Sequence, residues 1–298
     1  MFEDNKLPFS RNEMRKRTKN IRQEMAEQRI DCIIAQSPYH FYYVSGAPLF
    51  PFGRPCAVVL PLDGEATIIE GVLEIDHTQL QSYITDIRTY WDLERPPIES
   101  VYRLMKEILR EKGLSKASIG FEDESIPYYF YEKLRSTFPE GRLIGASEIL
   151  NRLRMVKSEE ELDYIRAGSQ ISDLGIEIFF EKVERGKSTY EMEKECHLAM
   201  EMEIMKKYPS VPYIVSFEGN AGTSTDSSRT AKTAGHSQWR TSDLHTTFGE
   251  GLGMCISDVH MWGYWANVER NFILGKLSTP LKKPVSYTHL TLPTNREV

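Results

Sequence analysis

Between Ser257 and Arg270 the chain carries a carboxylate, an imidazole, an amide and a guanidinium at short intervals: Asp258, His260, Asn267 and Arg270, with Gly263-Tyr264 between them. Carboxylates and imidazoles move protons or hold metal ions, and a guanidinium pairs with a carboxylate. The segment Gly263–Gly275, GYWANVERNFILG, reads as a strand. Alternation along a strand sends Glu269 and Arg270 to opposite faces and keeps Asp258 on the same face as Ile256. His236 stands in a Ser/Thr-rich segment, where an exposed loop histidine is the ordinary outcome, and for His245 and His260 a hydrogen-bonded structural histidine is.

Other chemistries lack their residues. Gly219–Gly222 is followed by no Gly-Lys-Ser/Thr, so it is not a phosphate loop. The cysteines, Cys32, Cys56, Cys196 and Cys255, are scattered with no CxxC pair and read as buried reduced thiols. Met192, Met200, Met202 and Met205 read as fillers of a helical core, and the aromatic stretch Tyr39–Tyr43, with His40, as core or a dimer contact.

The elements that must position these residues follow from periodicity and punctuation. A chain of 298 residues with 40% hydrophobic and 27% charged content describes a soluble globular protein of two ordinary domains. A net charge of −6 argues against a nucleic-acid partner. No apolar run approaches the roughly 20 residues of a membrane span, and the N-terminus has no signal-peptide core, so a cytoplasmic location is expected. Arg11–Gln28 reads as an amphipathic helix through Ile21 and Met25, followed by a short buried strand at 32–35. Ser37–Gly46 reads as a turn leading into an aromatic strand or helix edge. Two apolar runs flank Asp63-Gly64 as a hairpin. Glu99–Lys112 has helical spacing and stops at Gly113, and the strand Ser118–Phe121 precedes a helix over Tyr128–Phe138. Ser158 and Glu161 form a capping box that opens a helix to about Lys182, with Leu162, Ile165, Ile171, Leu174 and Ile178 as its apolar face. A second helix starts at Ser188 or Thr189 and ends near Lys207. Gly219–Glu250, rich in Ser, Thr and Gly, reads as a long irregular loop.

Three stretches in chain order, Pro38–Gly46, Arg152–Leu162 (with its LRMVKSEEE linker) and Gly263–Gly275, resemble the creatinase/aminopeptidase P family of pita-bread hydrolases. The resemblance implies an α/β creatinase-type N-terminal domain over 1–150 and an incomplete α+β pita-bread domain over 151–283, with 284–298 a non-native tail. It implies a parent activity on a C–N bond, either the amide before proline in a small peptide or a related bond in a small amidine, and a homodimer. For this chain as given it implies inactivity.

The family's metallopeptidases hold two divalent ions (Mn, Co or Zn) with two Asp, one His and two Glu. By resemblance the first Asp position falls on Ile256, with Asp258 two residues on, and the second falls on Asn267. Asp258 and Asn267 are therefore weak metal candidates, since a shift of two residues moves a ligand by about 7 Å unless a bulge intervenes. The His and both Glu would lie beyond 280, so a complete metal centre and hence a cofactor are not expected in this chain, although the full-length parent would take one on the metallopeptidase reading. Ser257–Tyr264 and Asn267–Arg270 look more like the family's metal-free creatinase branch. There His236-Ser237 best matches the upstream His-Ser, which makes His236 the candidate acid/base and Arg270 a candidate partner of a site carboxylate. Three readings stay open: a metallopeptidase, a metal-free amidinohydrolase and a non-catalytic binding member.

Overall fold

A computed structural model describes residues 7–47, 54–91, 93, 96–209, 211–221 and 247–276. The chain divides into two compact units, Met1–Asp163 and Tyr164–Val298.

The first unit is built on a six-stranded sheet: β1 (Cys32–Ala35), β2 (Ala57–Pro61), β3 (Thr67–Gly71), β4 (Asp86–Tyr90), β5 (Ser118–Phe121) and β6 (Arg142–Gly145). The order is β4-β3-β2-β1-β5-β6, and β2 alone runs against its neighbours. The central strands are apolar on both faces because helices cover both. Ile33, Val58, Leu60 and Ile68 share a core with Ile21 and Met25 of α1 (Arg11–Gln28) and with Phe41 and Val44 of α2 (Pro38–Ser45). Cys32, Ile34, Val59 and Ile69 share the other with Val101, Met105 and Ile108 of α4 (Pro97–Glu111) and Leu134 of α5 (Tyr128–Thr137). The short α3 (Ile75–Gln81) follows β3 after a 3-10 turn, Val72–Glu74.

The ambiguous stretch after Ser37 is helical. Ser37 caps α2, its hydroxyl accepting from the His40 amide, Pro38 sits in the first turn, and Gly46 closes the helix at φ 79°. Leu150–Met155 is also helix, part of α6 (Ser147–Met155). The capping box of α7 (Glu159–Lys182) forms as expected. The Ser158 amide donates to the Glu161 carboxylate at 2.7 Å, and the Glu161 amide to the Ser158 hydroxyl at 3.3 Å.

The second unit pairs α7 and α8 (Thr189–Lys207) with an antiparallel sheet of β7 (Tyr213–Ala221), β8 (Gly251–Met261) and β9 (Tyr264–Leu274). The stripe that α7 buries is Tyr164, Ala167, Ile171, Ile176 and Phe179, while Leu162, Ile165, Leu174 and Ile178 are only half-buried. Small residues cause the rotation. A Cβ on Gly168 would stand 3.2 Å from the Ala266 Cβ, and the Ser172 hydroxyl lies 3.4 Å from the Ser257 carbonyl. An apolar count passes over positions whose value is that they are small.

Two further expectations are corrected. Residues 219–221 belong to β7 rather than to the loop, while at the other end Phe248 is buried, with its amide bonded to the Lys187 carbonyl. Met192 and Met200 are core, but Met202 and Met205 are exposed. The segment 222–246 and the tail 284–298 lie outside the described residues.

Candidate active site

The residues singled out around Gly263-Tyr264 sit on the β8–β9 hairpin, joined by a two-residue turn at Trp262 and Gly263. Both have positive φ, 46° and 84°, as a type I′ turn demands, and this turn has the hand that suits the twist of its strands. Gly supplies one such position at no cost; Trp262 takes the other, with its side chain buried near the ring of Tyr164. The register runs unbroken from Met261↔Tyr264 to Gly251↔Leu274, so no bulge is present.

That register decides what faces what. Asp258 stands directly opposite Asn267. Counting alternately from the closing pair Met261↔Tyr264 makes this a non-hydrogen-bonded pair, the kind in which facing side chains come closest. The Asn267 amide donates from Nδ2 to Asp258 Oδ1 at 2.5 Å. Ile256, where the resemblance places the first ligand, pairs instead with Glu269.

One face of the hairpin is packed: Cys255, Ser257, Val259, Met261 and Ala266 are buried. The other carries Asp258, His260, Trp265, Asn267 and Glu269, together with Ser216 and Glu218 from β7, which pairs Ser216↔Asp258 and Ile214↔His260. His260 packs against Trp265 at 4.8 Å between ring centroids, and burial pushes its pKa down, favouring the neutral imidazole. Arg270 lies on the opposite face from Asn267 by the same alternation, and its Nη1 donates to the Glu269 carbonyl at 2.8 Å. The structure therefore brings Asp258, Asn267 and His260 together and sets Arg270 apart from them; His236 and His245 lie outside the described residues. Glu269 shares the face of Asp258 and Asn267 and is exposed.

The donor set does not fit a two-metal centre. One carboxylate faces one amide, and the amide turns its N–H toward the carboxylate rather than its oxygen toward an ion. Among the described residues no group of three or more His, Cys, Asp or Glu could hold a metal ion.

The first unit holds a second polar cluster that the sequence did not disclose. Buried Glu122, just past β5, accepts from the backbone amides of Gln36 and Ser37, from the Ser37 hydroxyl at 2.5 Å and from His40 Nδ1. His40 Nε2 continues to Asn151 Oδ1 at 3.0 Å, and Asn151 Nδ2 to Glu124 at 2.9 Å. Burial raises the Glu122 pKa, but the donors from His40, Ser37 and the two amides outweigh it and hold the carboxyl below its usual range. The cluster anchors the N-terminus of α2 with a fixed negative charge, a structural role.

Residues 17–156 match the creatinase/prolidase N-terminal domain. Creatinase from Bacillus sp. (strain B-0618) is 28% identical over 204 residues, covering 68% of this chain and 48% of that protein. A creatinase/prolidase N-terminal domain thus accounts for residues 17–156 of this chain. Ectoine hydrolase from Halomonas elongata is 27% identical over 173 residues, 55% of this chain and 43% of that protein. The Xaa-Pro dipeptidase of Pyrococcus horikoshii is 24% identical over 194 residues, 65% of this chain and 50% of that protein. The chain thus spans about half the length of the curated relatives it matches. Its fold is that of the prolidases and X-Pro aminopeptidases. The P. horikoshii OT3 prolidase superposes at TM-score 0.65 with 18% identity, over 92% of this chain and 70% of that one. The X-Pro aminopeptidase of Thermotoga maritima does so at 0.69 with 16% identity, over 92% and 69%. No helix among the described residues is long and apolar enough to cross a membrane.

Proposed function

We propose that the protein is a hydrolase of C–N bonds of the metal-free, creatinase-like kind, acting on a small amidine, with 1–150 as its creatinase-type N-terminal domain and 151–283 as the opening of its hydrolase domain. The observation that carries this is the Asp258–Asn267 pair. Two facing carboxylates repel one another unless a cation sits between them, whereas a carboxylate facing an amide N–H is already satisfied. The similarity to creatinase and ectoine hydrolase supports the same reading. On it, Asp258 and neutral His260 present an acceptor and an imidazole on one face, proton transfer falls to a histidine such as His236, and Arg270 braces the strand rather than touching substrate.

The second reading, a metal-dependent Xaa-Pro peptidase, draws on the similarity to Xaa-Pro dipeptidases. A homodimer belongs to either.

Titration calorimetry with Mn(II) separates the two. The chain is expected to show no saturable binding. Stoichiometric binding by the unaltered chain would overturn the metal-free reading. For the full-length protein the matching expectation is chelator-resistant hydrolysis of a small guanidino acid, lost in His236→Ala. Hydrolysis of an Xaa-Pro dipeptide that EDTA stops and Mn(II) restores would install the peptidase instead. The 298 residues alone are proposed to be inactive on both substrates, and turnover by them would end that part of the proposal only.

A further inference from the structure

Glu70, near the end of β3, is 1% exposed. One oxygen, Oε2, accepts the Thr78 hydroxyl of α3 at 2.7 Å, and the other, Oε1, is buried with no hydrogen-bond partner among the described residues. A buried carboxylate normally satisfies both oxygens, because an unpaired charged oxygen away from water is costly. A neutral carboxyl carries that arrangement far more cheaply.

Among the described residues, the groups around Glu70 do not neutralise a charge. From the 3-10 turn comes Glu74, itself paired with Arg54 at 3.1 Å. From the segment entering β2 comes the buried Cys56 thiol, which feels the fields of Glu70, Glu122 and Glu74 and is pushed up by burial and by all three. From α3 comes the Thr78 hydroxyl, while Asp76 and His77 on that helix are exposed. From β4 comes Thr89, the register partner, which does not titrate. The segment that Glu70 holds is slight. The 3-10 turn has no buried residue and α3 buries only Thr78, while Leu73 and Leu80 are exposed.

We propose that Glu70 is a proton latch: as the neutral acid it holds α3 against the sheet through Thr78, and loss of its proton lets the 3-10 turn and α3 open. The opening would carry Glu74 away from Arg54. The titration supports the same sense, since burial, opposed by the Thr78 bond and reinforced by Glu74, raises the Glu70 pKa from 4.5 to about 7. A carboxyl with a raised closed-state pKa stabilises the closed form fully below its open-state value, and that contribution disappears as pH rises through the closed-state value. The opening constant should therefore climb by about tenfold per pH unit between about 4.5 and 7 and level off above, roughly two orders of magnitude in all.

Hydrogen exchange of the α3 amides, corrected for intrinsic rates, tests this with α4 as an internal control. The expected result is a rise with pH confined to Ile75–Ser82, absent in Glu70→Gln. Thr78→Val, which removes the hydroxyl tie, should open α3 already at pH 5 and serves if the glutamine variant folds poorly. A flat profile for α3 in the unaltered chain, an equal slope in Glu70→Gln, or the same slope in α4 would each overturn the latch.

Discussion

Replacing Arg17 by Ala is expected to destabilise the first unit by about 3–5 kcal/mol, the range for removing one partner of a buried ion cluster. Arg17 is 2% exposed. Its Nε contacts Glu13 at 2.8 Å, its Nη2 approaches Glu161 at 3.3 Å, and its guanidinium lies over the rings of Phe9 and Tyr43, 3.9 and 4.6 Å from their centroids. Glu13 and Glu161 are 9% and 3% exposed, so without the guanidinium two carboxylates would share a dry site. Glu161 is also the capping-box residue of α7, and the loss should spread to that helix start. Urea unfolding followed by hydrogen exchange in α1 and in the first turn of α7 measures the effect. A change below about 1 kcal/mol, the usual value of an exposed pair, would mean that water reaches the cluster. The triple variant Glu13→Gln/Arg17→Met/Glu161→Gln should recover much of the loss, because it removes the charges together rather than stranding two of them.

Arg17 shows how sequence reading succeeds and fails on one helix. The amphipathic face of α1 was visible from Ile21 and Met25. Arg17 and Glu13 continue the same four-residue stripe, so their burial was also legible, but a charged residue on a helix is ordinarily assigned to water. In the first unit β1, β2, β3, β5, α1, α4 and α5 were readable, because central strands buried on both faces form plain apolar runs and glycines at 64 and 113 mark breaks with φ of 94° and 73°; the edge strands β4 and β6 and the helices α3 and α6 were not. The α7 stripe was misplaced because Gly168, Ser172 and Gly175 carry no hydrophobic signal although the sheet lies against them.

In the candidate site, residue types were legible and partners were not. A strand segment says that Asp258 shares a face with Ile256; only the turn fixes which residue of the next strand stands opposite. With the turn at Trp262-Gly263 the facing pair is Asp258 and Asn267, nine positions apart. The eleven-position spacing from Ile256 to Asn267 that the family resemblance implies does not produce a facing pair in this hairpin. Glu122 and Glu70 were invisible for a different reason: each is a lone acid in or beside a strand, and only the packing of neighbouring helices makes it a buried one.

The largest effect expected in the second unit comes from Phe179→Ala, at about 3–5 kcal/mol for the loss of a buried aromatic and the cavity it leaves. Phe179 is fully buried and is the hub of an aromatic cluster, with ring centroids 5.6 Å from Phe180, 5.5 Å from Phe217, 5.6 Å from Phe248 and 5.2 Å from Phe272. Those partners come from α7 itself, from β7, from the segment before β8 and from β9, so one ring joins the helix to both outer strands of the sheet. Its edge also fills the space over Gly219, where a Cβ would come within 2.6 Å of Phe179 Cε2. Gly219→Ala should therefore be destabilising in the unaltered chain and nearly neutral beside Phe179→Leu, a coupling that a double-mutant cycle reads directly. Additive effects would show that the ring moves aside and is not the fixed spacer. If the cycle couples, Phe179 sets the seating of the sheet on α7. The facing geometry of Asp258 and Asn267, on the far side of that sheet, then depends on a residue with no chemistry of its own. Protection of β8 and β9 amides should fall with Phe179→Ala, whereas Asn267→Ala, which removes an exposed side chain, should leave it within about 0.5 kcal/mol.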